Sequence, residues 1–260
     1  MSLQNDKVAR ALFGNIYTSF TQGKGIGSLA TLLSMLRGLP KSADGKNYLA
    51  PVDIVDLILE NEKSLNKMVG VFGELQELVS QNFALFDVTL GELHDIIRSI
   101  VVDIKPFTDI RGHRIVVSSL PSRFAGRRLK LNWEFMRKVL YELLINALKF
   151  SSPQSTITVL VEYLHTRILI TVLNEPYTVN RGEIKGIPEE YRRIIFEPFF
   201  RVSRILNEAY DTLEYGLGLT LVDKIIQMHK GSIRNLTIQD FGDGTDEKTD
   251  LVAFEIELPA

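Results

Sequence analysis

The chain has 260 residues, 45% of them hydrophobic, with a net charge of only −2 and no cysteine. That length and apolar content suffice for one or two domains with a substantial core. Near-neutrality gives no electrostatic case for nucleic acid or an anionic membrane, and the absent cysteines exclude disulfides and Cys-ligated zinc.

No apolar run approaches the ~20 residues of a membrane helix, and no signal peptide is recognisable. The chain is therefore expected to be cytoplasmic, alone or as the cytoplasmic part of a longer protein. Two helical segments are predicted first. The segment from about Asn5 to Leu36 is apolar on one side (Leu12, Ile16, Phe20, then Leu29, Leu32, Leu33, Leu36) and carries Gly23, Gly25 and Gly27. Each glycine inside a helix costs about 0.5–1 kcal/mol relative to alanine. Two readings of this stretch stay open: a kink, or a close-approach surface for another protein. A turn-rich loop follows from Gly38 to Asn47. From about Val52 to Phe83, the residues Leu65, Met68, Phe72, Leu75 and Val79 alternate steps of three and four, a coiled-coil-like seam. The pair reads as a helical hairpin, packed either on its own domain or against a second copy.

Beyond Phe86 the periodicity changes. A strand is predicted at Arg114–Ser118, a helix at about Asn132–Phe150, and a β-hairpin with arms Thr156–Glu162 and Arg167–Leu173. A second helix spans about Leu217–His229, and strands follow at Ser232–Ile238 and Val252–Leu258. Helices covering a mixed sheet make an α/β sandwich, so the fold class is α+β. The stretch from Gln239 to Lys248 reads as a solvated loop.

The helix at Asn132–Phe150 carries Glu142, Asn146 and Lys149 at i, i+4 and i+7. That spacing places an acid, an amide and an amine on one side while Leu143, Leu144, Ala147 and Leu148 turn to a core. Tyr215-Gly216-Leu217-Gly218-Leu219 is a glycine-bearing turn opening another helix, where backbone N–H groups can meet phosphate oxygens. Taken singly, the first is a locally satisfied amide and the second an ordinary turn. Between them lies Ile195-Phe-Glu-Pro-Phe199-Phe-Arg201-Val202, a loop anchored by rings. In this order the three suggest a nucleotide pocket.

These segments resemble the asparagine, phenylalanine and second glycine boxes of sensor histidine kinases, whose ATP-binding domain is shared by gyrase, the heat-shock chaperone ATPases and MutL. Phe86 to Ile97 is similar to the short helix that begins that domain. The resemblance covers Phe86 to the C-terminus well and the first eighty-odd residues in outline. It implies a dimerisation hairpin over residues 1–85, forming a four-helix bundle in a homodimer, and an ATP-binding domain over residues 86–260. It also implies ATP and Mg²⁺ as cofactors, and a response regulator or other signalling protein as partner. Asn146 would give its side-chain oxygen to Mg²⁺. Lys149 would lie near the phosphates, and Glu142 would assist phosphoryl transfer. Asn174, Gly186, Phe199, Arg201, Gly216, Leu217 and Gly218 would complete the nucleotide site and its lid.

The chain departs from that pattern at several places. Asn174 stands where the family has the Asp that accepts from the adenine amine, Pro176 replaces a glycine, and Glu214 replaces the first glycine of the second box. The first hairpin helix lacks the phosphoacceptor histidine; the four histidines are His94, His113, His165 and His229, each read as structural or solvated. Two functions are therefore carried forward. One is a histidine-kinase-like protein that binds Mg-ATP without autophosphorylation at the usual site. The other is a non-enzymatic interaction module with impaired ATP binding. A chaperone- or topoisomerase-type ATPase is a third, disfavoured by the phenylalanine box and the hairpin.

Overall fold

The computed structural model describes residues 26–80, 83–179, 184–202, 210, 215–240 and 249–260. The expectations for Asn5–Phe20, Gly23, Gly25 and Glu214 lie outside the described residues, as do those for Leu75 and Val79 as side chains. Helix α1 (Ile26–Arg37) opens within the glycine-rich stretch and includes Gly27, and α2 (Val52–Ser80) follows after the loop. The two helices meet where Ser28 Oγ donates to Asn61 Oδ1 at 2.5 Å, while Asn61 Nδ2 donates to the Leu57 carbonyl. In the loop between them Gly45 takes φ +69°, and its N–H donates to Ser42 O at 2.8 Å.

The remainder is built on a five-stranded mixed sheet in the order β2–β4–β5–β9–β8. Its strands are β2 (Arg114–Val117), β4 (Thr156–Leu164), β5 (Arg167–Asn174), β8 (Ser232–Asp240) and β9 (Thr249–Pro259). β2 and β4 run parallel and the other pairs antiparallel. Gln239 and Asp240, expected in a loop, continue the ladder opposite Asp250 and Thr249.

Phe86–Thr89, expected to begin a helix, is instead strand β1, paired antiparallel with β3 (Arg128–Leu131). The helix, α3 (Leu90–Asp103), starts after it because Thr89 and Glu92 form a capping box. Thr89 Oγ1 accepts from Glu92 N–H, and Glu92 Oε2 accepts from Thr89 N–H at 2.7 Å. Two one-turn helices, α4 (Lys105–Thr108) and α5 (Ser122–Ala125), fill connections.

Helices α3, α6 (Trp133–Phe150) and α7 (Gly218–Met228) cover one sheet face. Alternate residues of the strands, such as Ile157, Val159, Ile170, Val172 and Ile256, are fully buried beneath them, as period-2 patterning requires. Helix α6 sends Leu140, Leu143, Leu144 and Leu148 into that core. A buried His229 fastens α7 to α6: Nε2 accepts from Asn132 N–H at 2.9 Å, and Nδ1 donates to Ile225 O at 2.7 Å. Asn132 is in turn the N-cap of α6. Burial holds the His229 pKa below its ordinary value, in keeping with a neutral ring that accepts through Nε2.

Candidate functional site

Most of the predicted site residues surround one cavity at the end of the sheet. Helix α6 contributes Glu142, Asn146 and Lys149, β5 ends in Asn174, and Gly186, Arg201, Gly216 and Gly218 arrive from the connections and the start of α7. Glu142 and Asn146 are half-buried. Lys149 is only 4% exposed, so its charge sits in the wall of the cavity, away from bulk water.

The two ends of the cavity differ chemically. At one end Gly218 opens α7 directly against Glu142, and a Cβ on that glycine would lie 2.5 Å from Glu142 Oε2. The free N–H groups of a helix start meet a carboxylate there, and the Asn146 amide follows one turn along α6. This is chemistry suited to phosphates and a cation. At the other end, Asn174 pairs with Val252 across the β5–β9 ladder. Gly186 (φ +78°) fits so closely that a Cβ would come within 3.2 Å of Val252 and 3.5 Å of Pro176. With Ile187, Ile195 and Phe254 nearby in the lining, this end is apolar, with Asn174 as a polar group in it.

Between Asn174 and Gly186, β6 (Thr178–Val179) pairs antiparallel with β7 (Ile184–Lys185), and Gly186 lies beside Pro176. Its base is tied to the end of α6: Tyr177 N–H donates to Phe150 O, and Ser152 N–H to Glu175 O. Arg111 Nη1 donates to Lys149 O at 3.0 Å, and its guanidinium lies 5.1 Å from the Tyr177 ring, which lines the cavity. Tyr210 Oη donates to Leu148 O. Arg111 and Tyr210 thus satisfy two of the C-terminal carbonyls of α6. Neither was found from sequence, because both are near α6 only in space.

Phe199 and Leu217 do not line the cavity. Leu217 is buried with Tyr215 and Met68 of α2, and Phe199 packs on that cluster. Phe72 of α2 meets the Phe199 ring at 6.0 Å, and Ser64 Oγ lies 3.2 Å from Tyr215 Oη. Phe199 also holds φ +63°, a conformation uncommon for a bulky residue, and its N–H donates to Gly216 O at 2.9 Å. Gly216 (φ +70°) has no room for a side chain, since a Cβ would lie 2.5 Å from Phe200 O.

Of the histidines, His94 Nε2 meets Ser118 O at 2.8 Å, and His113 is buried with neither ring nitrogen partnered. Burial keeps the His113 pKa low. His165 takes φ +54° in the turn between β4 and β5.

Residues 132–260 match the sequence profile of the histidine kinase-, DNA gyrase B-, and HSP90-like ATPases. The adaptive-response sensory kinase SasA of Prochlorococcus marinus is 26% identical over 190 residues, 71% of this chain and 45% of SasA. The heme sensor protein HssS of Staphylococcus aureus is 27% identical over 161 residues, 62% of this chain and 31% of HssS. The matches support a sensor histidine kinase ATP-binding domain. The chain spans less than half the length of these curated relatives. The fold is also that of the histidine kinase ThkA, in its crystal structure with the response regulator protein TrrA. There the TM-score is 0.60 at 19% identity, covering 99% of this chain and 62% of that one.

Proposed function

We propose that the chain binds Mg-ATP and acts as a histidine-kinase-like signalling protein that does not phosphorylate itself at the usual site. What carries this reading is one cavity. It is lined by Glu142, Asn146 and Lys149 of α6 together with the glycine start of α7, which meets Glu142, and by a set of apolar side chains. The Asn146 amide oxygen and the Glu142 carboxylate are hard oxygen donors one helical turn apart, a donor set that fits Mg²⁺. Bound there, the ion would bridge and neutralise phosphate charge. Lys149 supplies a second, fixed positive charge, and Glu142 orients the group that receives the phosphoryl. The stretch at residues 20–33, which corresponds to the family's phosphoacceptor segment, holds no histidine, so the phosphoryl would go to another protein, a response regulator or other signalling partner, or to an unusual residue.

Titration with a non-hydrolysable ATP analogue, with and without Mg²⁺, tests the binding. Micromolar affinity that disappears in Asn146→Ala supports it. Absence of binding at millimolar nucleotide favours the second reading, a non-enzymatic interaction module, which Asn174, Pro176 and Glu214 in the sequence motivate. Stable label on a histidine after incubation of the chain with γ-labelled ATP would overturn the first reading's statement on autophosphorylation.

We further propose a division into a hairpin, residues 1–85, and an ATP-binding unit, residues 86–260, with homodimerisation through the hairpin. Leu33, Met35, Leu57, Leu59 and Val69 are each 46–65% exposed on α1 and α2, an apolar surface uncovered among the described residues. Among the described residues no helix is long and apolar enough to cross a membrane, and we place the protein in the cytoplasm.

A further inference from the structure

A second cavity, of about 620 Å³, lies between α7, β8 and the chain around residues 192–198, and shares no lining residue with the first. Among the described residues six buried side-chain polar atoms have no hydrogen-bond partner. Three of the six belong to residues in the walls of this cavity: Arg192 Nε, Thr220 Oγ1 and Asn235 Oδ1. Unmet buried groups are costly and few in a native fold unless something completes them. Their concentration around one cavity, of a size that suits a small molecule, points to an occupant.

Each of the three is left unmet for a local reason. Asn235 is 4% exposed, and its Nδ2 donates to Ala253 O at 3.2 Å, which fixes the amide and leaves Oδ1 as an acceptor without a donor. Thr220, 5% exposed, lies in the first turn of α7. A threonine hydroxyl in a helix can bond back to the carbonyl four residues earlier, and this one does not. Arg192 makes a loose ion pair, Nη1 to Glu189 Oε1 at 3.7 Å, with that glutamate 86% exposed, and its Nε remains an unused donor. The charge around them is mainly positive. Arg193 and Lys224 line the cavity with Arg192, against Glu197 and Asp223, while Arg234 is held by Glu255 at 2.5 Å and Asp223 accepts from Gln227 at 2.5 Å.

We propose that this cavity binds a small phosphate monoester that carries a free hydroxyl, with the phosphate on Arg192 and the hydroxyl donating to Asn235 Oδ1. The three unmet groups define that combination. Arg192 supplies a charged donor, best matched by an anionic oxygen. Asn235 offers an acceptor, which a ligand that only accepts cannot fill, and the Thr220 hydroxyl serves either role. Three cationic side chains suit the dianion of a phosphate monoester better than the single charge of a carboxylate. The inference stands apart from the nucleotide reading, because it uses none of the same residues.

The test is an amide-resolved NMR titration of the full chain, at a pH where the phosphate is a dianion, with glycerol 3-phosphate, propyl phosphate and glycerol. Glycerol 3-phosphate should shift amides at residues 192–198, 220–224 and 233–235 and saturate at low millimolar concentration. Propyl phosphate lacks the hydroxyls and glycerol lacks the anion, so each should bind at least about tenfold more weakly, leaving one buried group unmet. Arg192→Gln should weaken glycerol 3-phosphate by about tenfold or more, and Thr220→Val by a few-fold. Shifts confined to residues 142–149 and 216–218 would put the anion in the first cavity and overturn the proposal. Propyl phosphate binding as tightly as glycerol 3-phosphate overturns it too. Absence of shifts around the second cavity at high millimolar glycerol 3-phosphate would mean that water alone meets the three groups, and sinks it equally. Should either variant not fold, the ranking of the three compounds on wild type decides.

Discussion

The glycines at 216 and 218 are two residues apart, yet alanine at each should fail for a different reason. At Gly216 the new methyl would meet backbone, 2.5 Å from Phe200 O and 2.9 Å from the Phe199 carbonyl carbon, at φ +70°. The left-handed conformation alone costs about 1–2 kcal/mol for a non-glycine residue. Separating the two strands of chain also breaks the Phe199 N–H to Gly216 O bond, worth about 1 kcal/mol. Gly216→Ala should therefore lose about 2–3 kcal/mol of stability, a fall in Tm of roughly 5–10 °C. At Gly218 the methyl meets only Oε2 of Glu142, also at 2.5 Å, the far end of a flexible side chain that can swing aside. Alanine also favours the helix by up to about 1 kcal/mol. Gly218→Ala should thus fold within about 1 kcal/mol of wild type, but with Glu142 displaced and the helix start obstructed. Its Mg-nucleotide affinity should fall at least about tenfold, the loss of roughly one hydrogen bond to a charged group. Urea denaturation and calorimetric titration of the two variants separate these effects. If Gly216→Ala matches wild-type stability, or Gly218→Ala binds nucleotide as tightly as wild type, the steric reasoning is wrong.

The pH dependence of stability should carry the sign of a buried neutral histidine. The His229 pKa is depressed in the fold, chiefly by burial, so the unfolded chain takes up the proton first as pH falls. Stability is complete above the ordinary imidazole pKa of about 6.5 and is lost as pH drops from there toward the folded value. His113 adds in the same direction. Melting curves from pH 8 to 5 should show the fall, and His229→Gln should flatten part of it; an undiminished slope would place the titration elsewhere. Phe72→Ala removes one ring of a pair worth about 0.5–1.5 kcal/mol, so amide exchange at residues 199–200 and 215–217 should quicken by a few-fold or more, with the sheet unaffected. Leu57→Glu with Val69→Glu should turn a dimer into a monomer by light scattering; a wild type already monomeric at high micromolar concentration would refute the dimer.

The cavity was legible because its residues are set by local periodicity. Glu142, Asn146 and Lys149 share a helix face by spacing alone, and the strand ends follow from alternation in β5 and β9. The strand at Phe86–Thr89 was missed because four residues of alternating pattern look the same before a helix as in one. The capping box Thr89–Glu92 was the available signal, and it marks the helix start three to four residues later. Arg111, Tyr177 and Tyr210 gave no signal, since their partners are carbonyls and a ring brought near only by the fold. Lys149 was expected as a charge near phosphates, but nothing in its spacing foretold that it would be 4% exposed. The seam Leu65–Met68–Phe72 was read correctly as apolar, but periodicity cannot say what covers a seam. Here its middle meets the turn at Tyr215–Leu217.

That turn explains why the hairpin and the cavity belong to one physical system. Along residues 215–218 the chain alternates: Tyr215 and Leu217 are buried against α2, while Gly216 and Gly218 line the cavity. A side chain every second residue on one face, and bare backbone on the other, lets a single strand of chain serve both. Among the described residues the apolar side of this contact buries Met68, Tyr215 and Leu217, against some thirty buried residues in the main core. At about 1.5–3 kcal/mol per fully buried side chain before ordering costs, such a contact holds the hairpin in place without fusing it to the sheet. Anything that reshapes the backbone at Gly216 and Gly218 must therefore be felt at Tyr215 and Leu217.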